Sequence, residues 1–161
     1  MAPTVAYIAL GSNLEDPRVQ VGRGFDALAA LPDTMLHARS RLFRTRPWGV
    51  VDQPDFVNAA ACVRTRLEPR ALLEALLAVE TRAGRVRGVR NGPRVLDLDL
   101  LCYGDRVMHA TGLDLPHPRL HERAFVLLPL ADIAPDLEIP GRGRVRELLA
   151  RVDTSGCTPL D

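Results

Sequence analysis

The 161-residue chain contains no lysine, so all 21 of its basic residues are arginine. This absence excludes the phosphate-binding loop GxxxxGK(S/T), which needs its lysine. Any phosphate site in this protein must therefore use arginine side chains, backbone N–H groups or a metal ion.

Cysteine is scarce, and long apolar runs are missing. Cys62, Cys102 and Cys157 lack the paired spacing of a zinc or disulfide framework, so we expect reduced thiols. No apolar run reaches the roughly 20 residues that span a bilayer, and no signal-peptide pattern opens the chain. A cytoplasmic protein is the default expectation.

The charge balance is close to neutral, with a formal net charge of +1. A general nucleic-acid or membrane-surface binder usually carries a much larger positive charge. Hydrophobic residues make up 47% of the chain and charged residues 25%, which is typical of globular proteins. The length suits one domain, which we expect to comprise residues 1–161.

Local patterns in the first half predict strands separated by one helix. A turn at residues 11–13 ends the first strand, and Asp16 and Pro17 are typical of a helix start. The helix is predicted to run to about Pro32. The predicted strands are residues 4–10, 35–45 and 56–66.

The second half begins with a helix after Pro69 that is predicted to end at Gly84. Its apolar stripe is predicted to contain Leu72, Leu73, Leu76 and Leu77. A strand, VLDLDLLCY, a hairpin and a proline-bounded turn follow. A helical stretch broken or restarted at Pro129 and a short helix near residues 144–152 complete the pattern. Residues 139–161 are expected to contribute only to packing of the fold.

The order β, α, β, β, α, β predicts an α+β fold, with helices packed on a mostly antiparallel sheet.

Two aspartates in GPRVLDLDLL, residues 92–101, carry the clearest chemical signal. Side chains alternate along a strand, so Asp97 and Asp99 share one face and the neighbouring leucines share the other. Two adjacent carboxylates repel each other unless a cation lies between them, and Mg²⁺ suits such a pair. A solvated strand face is the alternative.

Four arginines precede this strand within ten residues: Arg85, Arg87, Arg90 and Arg94. Positive charge beside paired carboxylates is what metal-bound polyphosphate chemistry requires. A nucleic-acid patch is the alternative, and the lack of interleaved aromatic residues disfavours it.

Other polar residues admit two interpretations each. Glu80 projects from the apolar stripe, where it either pairs with a following arginine or serves a ligand. Phe56 and Asn58 share a strand face, which suits a flat heterocycle but also ordinary core packing. His117, followed by Arg119 and Arg123, is either structural or a phosphate contact.

Together these segments resemble the 6-hydroxymethyl-7,8-dihydropterin pyrophosphokinase family of folate synthesis. The resemblance rests on AYIALGSN, FRTRPWG, DQPDFVNAA, GRVR, RNGPRVLDLDLL and LPHPRLHERAFVLLPLADIAPDL, and it covers about residues 5–138. It implies a ferredoxin-like α/β sandwich, a monomer, and an ATP- and Mg²⁺-dependent diphosphotransferase. No nucleic-acid or membrane partner is expected.

The resemblance also implies roles for individual residues. Asp97 and Asp99 match the family's ligands for two Mg²⁺ ions, and Arg85 and Arg94 match arginines that contact ATP phosphates and act in catalysis. The further residues implied to bind ATP are Glu80, Arg87, Leu100, His117 and Arg123. The residues implied to line the pterin site are Thr45, Pro47, Trp48, Phe56, Asn58 and Phe125, with the phenylalanines as a stacking pair.

The implied reaction is an in-line attack by the pterin hydroxymethyl oxygen on the β-phosphorus of ATP, with AMP leaving. Either Asp97 accepts the hydroxyl proton, or metal coordination acidifies the alcohol without a dedicated base. A ligand-sensing module of the same architecture and an RNA-binding domain are the rival functions. RNA binding would weaken steeply with salt and survive the loss of Asp97.

Overall fold

The structure is a computed structural model, and it describes residues 2–47, 52–84 and 95–160. The strands are β1 (Thr4–Ser12), β2 (Thr34–Arg39), β3 (Phe43–Thr45), β4 (Phe56–Thr65), β5 (Asp97–Tyr103), β6 (Met108–Ala110), β7 (Leu113–Leu115), β8 (Glu138–Ile139), β9 (Gly143–Arg144) and β10 (Cys157–Pro159). The helices are α1 (Pro17–Ala29), α2 (Pro69–Arg82), α3 (Ala124–Ile133) and α4 (Val145–Leu149), with a short 3₁₀ helix at Leu120–Glu122.

A six-stranded sheet forms the centre of the protein. Its strands follow the order β10-β3-β4-β1-β5, and β2 also pairs with β4. Every strand pair in this sheet is antiparallel. The predicted hairpin after β5 is present as β6 and β7. The predicted α+β fold with a mostly antiparallel sheet is therefore confirmed.

The segment predicted as one strand, residues 35–45, is two strands that pair with different parts of β4. Ser40 lies at the break. Its N–H donates to the Ala60 carbonyl at 2.9 Å, and its Oγ accepts a hydrogen bond from the Ala60 N–H at 2.8 Å. Because the side chain satisfies a β4 backbone donor, the ladder is interrupted without leaving that buried group unpaired.

Helices α1 and α2 cover one face of the sheet. Phe25 and Leu28 from α1 and Leu72 and Leu76 from α2 are at most 3% exposed in a core that includes leucines of β5. Leu77 was predicted to lie on the same stripe, but it is 46% exposed. The buried face of α2 continues instead to Val79 and Glu80, which lie three and four residues after Leu76.

Helices α3 and α4 pack on the opposite face. Leu127 and Leu130 are fully buried there against Ala60 and Leu101. The predicted break at Pro129 is wrong, because α3 continues through it to Ile133. A proline inside a helix costs about 3 kcal/mol, and the burial of apolar residues on both sides of Pro129 offsets that cost.

Some predicted boundaries also differ from the structure. Helix α1 ends at Ala29 rather than near Pro32, and α4 is shorter than residues 144–152. Gly84 follows α2 with φ +94°, as expected for a helix stop. The C-terminal segment does more than pack, since β10 adds an edge strand to β3.

The three cysteines are free thiols, as expected. Within the described ranges, no helix is both long and apolar enough to cross a membrane.

Adjacent leucines on α2 offer a test of this packing. Leu76→Ala is expected to lower the free energy of unfolding by about 2–5 kcal/mol, because it opens a cavity at a fully buried position. Leu77→Ala should change it by less than about 0.5 kcal/mol, since that side chain is half exposed. Urea titration of both variants checks the prediction, and equal losses would contradict the assigned helix face.

Candidate active site

One row of residues crosses four strands at one end of the sheet. Gly11 of β1 lies between Asp97 of β5 and Asn58 of β4, and Asn58 in turn pairs with Phe43 of β3. Paired residues of antiparallel strands project from the same face of a sheet. The carboxylate of Asp97 and the carboxamide of Asn58 therefore flank a position that has no side chain.

The two aspartates of β5 share a face, as the alternation predicts. Asp97 and Asp99 are partly exposed, whereas Leu98 and Leu100 are at most 5% exposed in the core with α1 and α2. Among the described residues there is no cluster of three or more histidine, cysteine, aspartate or glutamate side chains that could hold a metal. A pair of carboxylates still fits Mg²⁺, which completes its coordination with phosphate oxygens and water.

Glu80 braces the strand that carries these aspartates. Its side chain is 2% exposed, and Oε2 accepts a hydrogen bond from the Leu98 N–H at 2.6 Å. Leu98 lies between Asp97 and Asp99, so the buried carboxylate of α2 fixes the backbone at the centre of the pair. The arginines proposed as partners of Glu80 lie outside the described residues.

Asn58 is held by a neighbouring threonine. Its Nδ2 donates to Thr45 Oγ1 at 2.6 Å, and both side chains are buried. Phe56 lies two residues earlier on β4, on the same face, and is only partly buried. This end of the sheet therefore presents an aromatic ring beside a carboxamide of fixed orientation.

His117 lies where its ring is kept neutral. Burial lowers the pKa of His117 to about 4, and Arg123 adds to this effect while Asp97 opposes it. Nδ1 accepts a hydrogen bond from the Arg119 N–H at 3.2 Å. The neutral ring therefore carries its proton on Nε2 and can donate a hydrogen bond from that nitrogen.

Arg123 brings positive charge to the two aspartates from the start of α3. Burial lowers the pKa of its guanidinium, and the carboxylates of Asp99 and Asp97 oppose that shift. The guanidinium carbon is 5.5 Å from the centroid of the Phe125 ring. A cation and an aromatic ring thus occupy the same end of the site.

The structure describes most of the residues singled out in the sequence, and among them Arg123 interacts with Asp97, Asp99 and His117. Those in described segments are Thr45, Pro47, Phe56, Asn58, Glu80, Asp97, Asp99, Leu100, His117, Arg123 and Phe125. Pro47 is the last described residue of its segment. Trp48, Arg85, Arg87 and Arg94 lie outside the described residues.

Sequence reasoning missed two features of this region. Asn13 is 2% exposed, and its Nδ2 donates to Gln53 Oε1 at 2.8 Å and to the Pro54 carbonyl at 3.0 Å. These two hydrogen bonds join the end of β1 to the segment before β4. The other is Gly11, whose lack of a side chain leaves room for the carboxamide of Asn58. Both contacts join residues at least 40 positions apart, so no local pattern signals them.

Comparison with known proteins points to one family. The family model for 7,8-dihydro-6-hydroxymethylpterin-pyrophosphokinase matches residues 7–135. A 2-amino-4-hydroxy-6-hydroxymethyldihydropteridine pyrophosphokinase from Pseudomonas aeruginosa is 49% identical over 154 residues, covering 96% of this chain and 95% of that protein. A protein of the same name from Haemophilus influenzae is 44% identical over 144 residues, covering 89% of this chain and 90% of the relative.

Solved structures share the fold at low identity. An HPPK-DHPS in complex with substrates matches with a TM-score of 0.73 and 13% identity over 93% of this chain. The Plasmodium falciparum HPPK-DHPS with pteroate matches with a TM-score of 0.70 and 14% identity over 92%. This chain spans 43% and 42% of those chains, respectively.

The pKa of His117 predicts a pH-dependent contribution to stability. Above about pH 6.5 the ring is neutral in both the folded and the unfolded chain, and its contribution to the free energy of unfolding is fully present. As pH falls from 6.5 towards 4, only the unfolded chain gains a proton, so stability is lost. The full shift corresponds to about 3 kcal/mol at ~1.4 kcal/mol per pKa unit, and partial exposure should reduce it to about half.

Urea titrations of the metal-free protein between pH 7 and pH 4 check this expectation. His117→Gln should lose this part of the pH dependence, whereas His37→Gln, at an exposed position on β2, should retain it. An unchanged pH slope in His117→Gln would contradict the assignment.

Proposed function

The chain belongs to the 7,8-dihydro-6-hydroxymethylpterin-pyrophosphokinase family, and on this premise we propose how it carries out that family's reaction. It transfers a pyrophosphoryl group from ATP to the hydroxymethyl group of 6-hydroxymethyl-7,8-dihydropterin. The products are AMP and the pterin diphosphate, in a step of folate biosynthesis. The observation that carries the proposal is the row in which Gly11 separates Asp97 from Asn58.

Asp97 and Asp99 would hold two Mg²⁺ ions together with the phosphates of ATP. Their placement on one face of β5 supports this role, since Mg²⁺ binds through one or two carboxylates and substrate phosphates. When bound, Mg²⁺ neutralises the charge of the phosphate oxygens. Glu80 contributes by fixing the backbone of Leu98 between the two ligands.

Arginines would provide the remaining positive charge for the polyphosphate. Arg123 is the described residue that supports this, because its guanidinium interacts with both aspartates. We assign Arg85, Arg87 and Arg94 to the same task on the strength of their sequence positions. Arginine is suited to it because its fork of donors matches phosphate oxygens.

His117 would donate a hydrogen bond to the nucleotide rather than accept a proton. Nδ1 is already an acceptor for the Arg119 N–H, and burial holds the pKa of His117 at about 4. Nε2 therefore carries the ring's proton and has no lone pair to offer. We accordingly assign His117 as a hydrogen-bond donor and not as the general base for the pterin hydroxyl.

The pterin would bind beside Asn58. Its carboxamide offers an acceptor and a donor to the polar edge of the heterocycle, and the partly buried rings of Phe56 and Phe125 supply apolar contact. Thr45 fixes the amide, and we assign Pro47 and Trp48 to the lining of the pterin site on the strength of their sequence positions. Leu100 is also assigned to the nucleotide side, but its side chain is buried in the core on the face opposite the aspartates, so its backbone would make the contact.

The chemical step is a single displacement. The hydroxymethyl oxygen forms a bond to the β-phosphorus as the bond from that phosphorus to the α–β bridging oxygen breaks. The electron pair leaves with AMP, and the alcohol proton passes either to Asp97 or, without a dedicated base, to water from an alcohol that metal coordination would acidify. Positioning and electrostatic stabilisation supply most of the catalysis in such transfers. We further propose that residues 1–161 act as one monomeric domain in the cytoplasm, with no nucleic-acid or membrane partner, as the family likeness suggests.

AMP formation tests this function directly. The purified protein should convert ATP to AMP only when both 6-hydroxymethyl-7,8-dihydropterin and Mg²⁺ are present, and EDTA should abolish the reaction. Asp97→Ala should lower kcat by at least about a hundredfold, because a charge-stabilising ligand is removed. Product analysis by chromatography measures each rate.

Asp105→Ala is the matched control, since Asp105 is an exposed residue in the turn after β5. It should retain the wild-type rate. Formation of ADP rather than AMP, or AMP formation that does not need the pterin, would contradict the proposal.

A further inference from the structure

Gly11 occupies a position where a side chain has no room. A Cβ built on this residue would lie 2.7 Å from Asn58 Oδ1 and 3.7 Å from its Cγ. Gly11 has no positive φ, so the backbone does not itself require glycine. A glycine inside a strand costs about 0.5–1 kcal/mol relative to alanine, and here the neighbouring carboxamide accounts for it.

The Asn58 side chain is held from both sides. On the β3 side, Nδ2 donates to Thr45 Oγ1 at 2.6 Å. On the β1 side, Oδ1 lies over the backbone of Gly11, which is itself paired with Asp97 of β5. The amide is thus oriented across the strands, with its nitrogen towards β3 and its oxygen towards the aspartates.

We propose that Gly11 is a positioning residue for the pterin substrate, because its missing side chain allows the Asn58 oxygen to lie towards Asp97. This inference rests on the proposed function, since it assumes that Asn58 contacts the pterin. A methyl group at position 11 displaces the amide oxygen and pulls Nδ2 away from Thr45. The pterin then loses a correctly oriented partner, while the nucleotide side of the site is unchanged.

The fold should tolerate the added methyl group. The atom it meets is the far end of a side chain rather than backbone, so a rotation of Asn58 relieves the contact. The consequence therefore falls on the orientation of the amide rather than on the sheet. A Cβ at Gly24 would instead meet two side chains packed in the hydrophobic core, Leu10 at 2.9 Å and Leu96 at 3.2 Å.

A double-mutant cycle between positions 11 and 58 tests the inference. Titration calorimetry would measure binding of 6-hydroxymethyl-7,8-dihydropterin with Mg²⁺ and α,β-methylene ATP present, and binding of the nucleotide separately. Gly11→Ala and Asn58→Ala should each weaken pterin binding by about tenfold, as expected for a lost hydrogen bond. Nucleotide affinity should change by less than about twofold.

The decisive variant carries both substitutions. Once Asn58 is alanine, the methyl group at position 11 has no amide to displace. The double variant should therefore bind pterin within about twofold of Asn58→Ala alone. Gly22→Ala is the matched control, because no atom lies within 4 Å of its added Cβ, and it should bind pterin like the wild type.

Several outcomes would overturn the inference: unchanged pterin affinity in either single variant, or losses that add fully in the double variant. If Gly11→Ala fails to fold, Thr45→Val replaces it, since it releases the amide from the other side. Thr45→Val should weaken pterin binding by about tenfold, and an unchanged affinity would overturn the inference. A wild-type protein that binds no pterin would refute the proposed function itself.

Discussion

The anchoring of β5 is the constraint on which the site depends. The carboxylates of Asp97 and Asp99 repel each other, so a flexible segment would not hold them side by side. Leu96, Leu98 and Leu100 alternate with them and are at most 5% exposed in the core against α1 and α2. Burying each leucine stabilises the strand by about 1.5–3 kcal/mol. The hydrophobic core thereby fixes the spacing of the two carboxylates.

The same sheet brings the two halves of the reaction together. In the proposed function Asp97 serves the nucleotide and Asn58 the pterin, and Gly11 is the strand residue between them. Arg123 and Phe125 lie at the start of α3, and we assign the first to the nucleotide and the second to the pterin. Because all the strands are hydrogen-bonded neighbours, the distance between the halves is set by strand spacing rather than by loops. Such rigidity suits a transfer that depends on positioning.

Features that depend on local periodicity were predictable from the sequence. The alternation that puts Asp97 and Asp99 on one face is confirmed, as is family membership, which the signature motifs indicated. Features that depend on distant partners were not predictable. The segment predicted as one strand is split at Ser40, because its side chain accepts a hydrogen bond from the Ala60 N–H. Helix α3 continues through Pro129, because the apolar residues on both sides of the proline are buried. The roles assigned to individual site residues stay predictions, including those outside the described segments.

A crystal structure with Mg²⁺, α,β-methylene ATP and 6-hydroxymethyl-7,8-dihydropterin would test the central claim most directly. The account predicts metal on Asp97 and Asp99. It also predicts the pterin hydroxymethyl oxygen above Gly11, in line with the β-phosphorus, and the pterin ring hydrogen-bonded to Asn58. A pterin bound away from Asn58, or a metal that does not touch either aspartate, would contradict it.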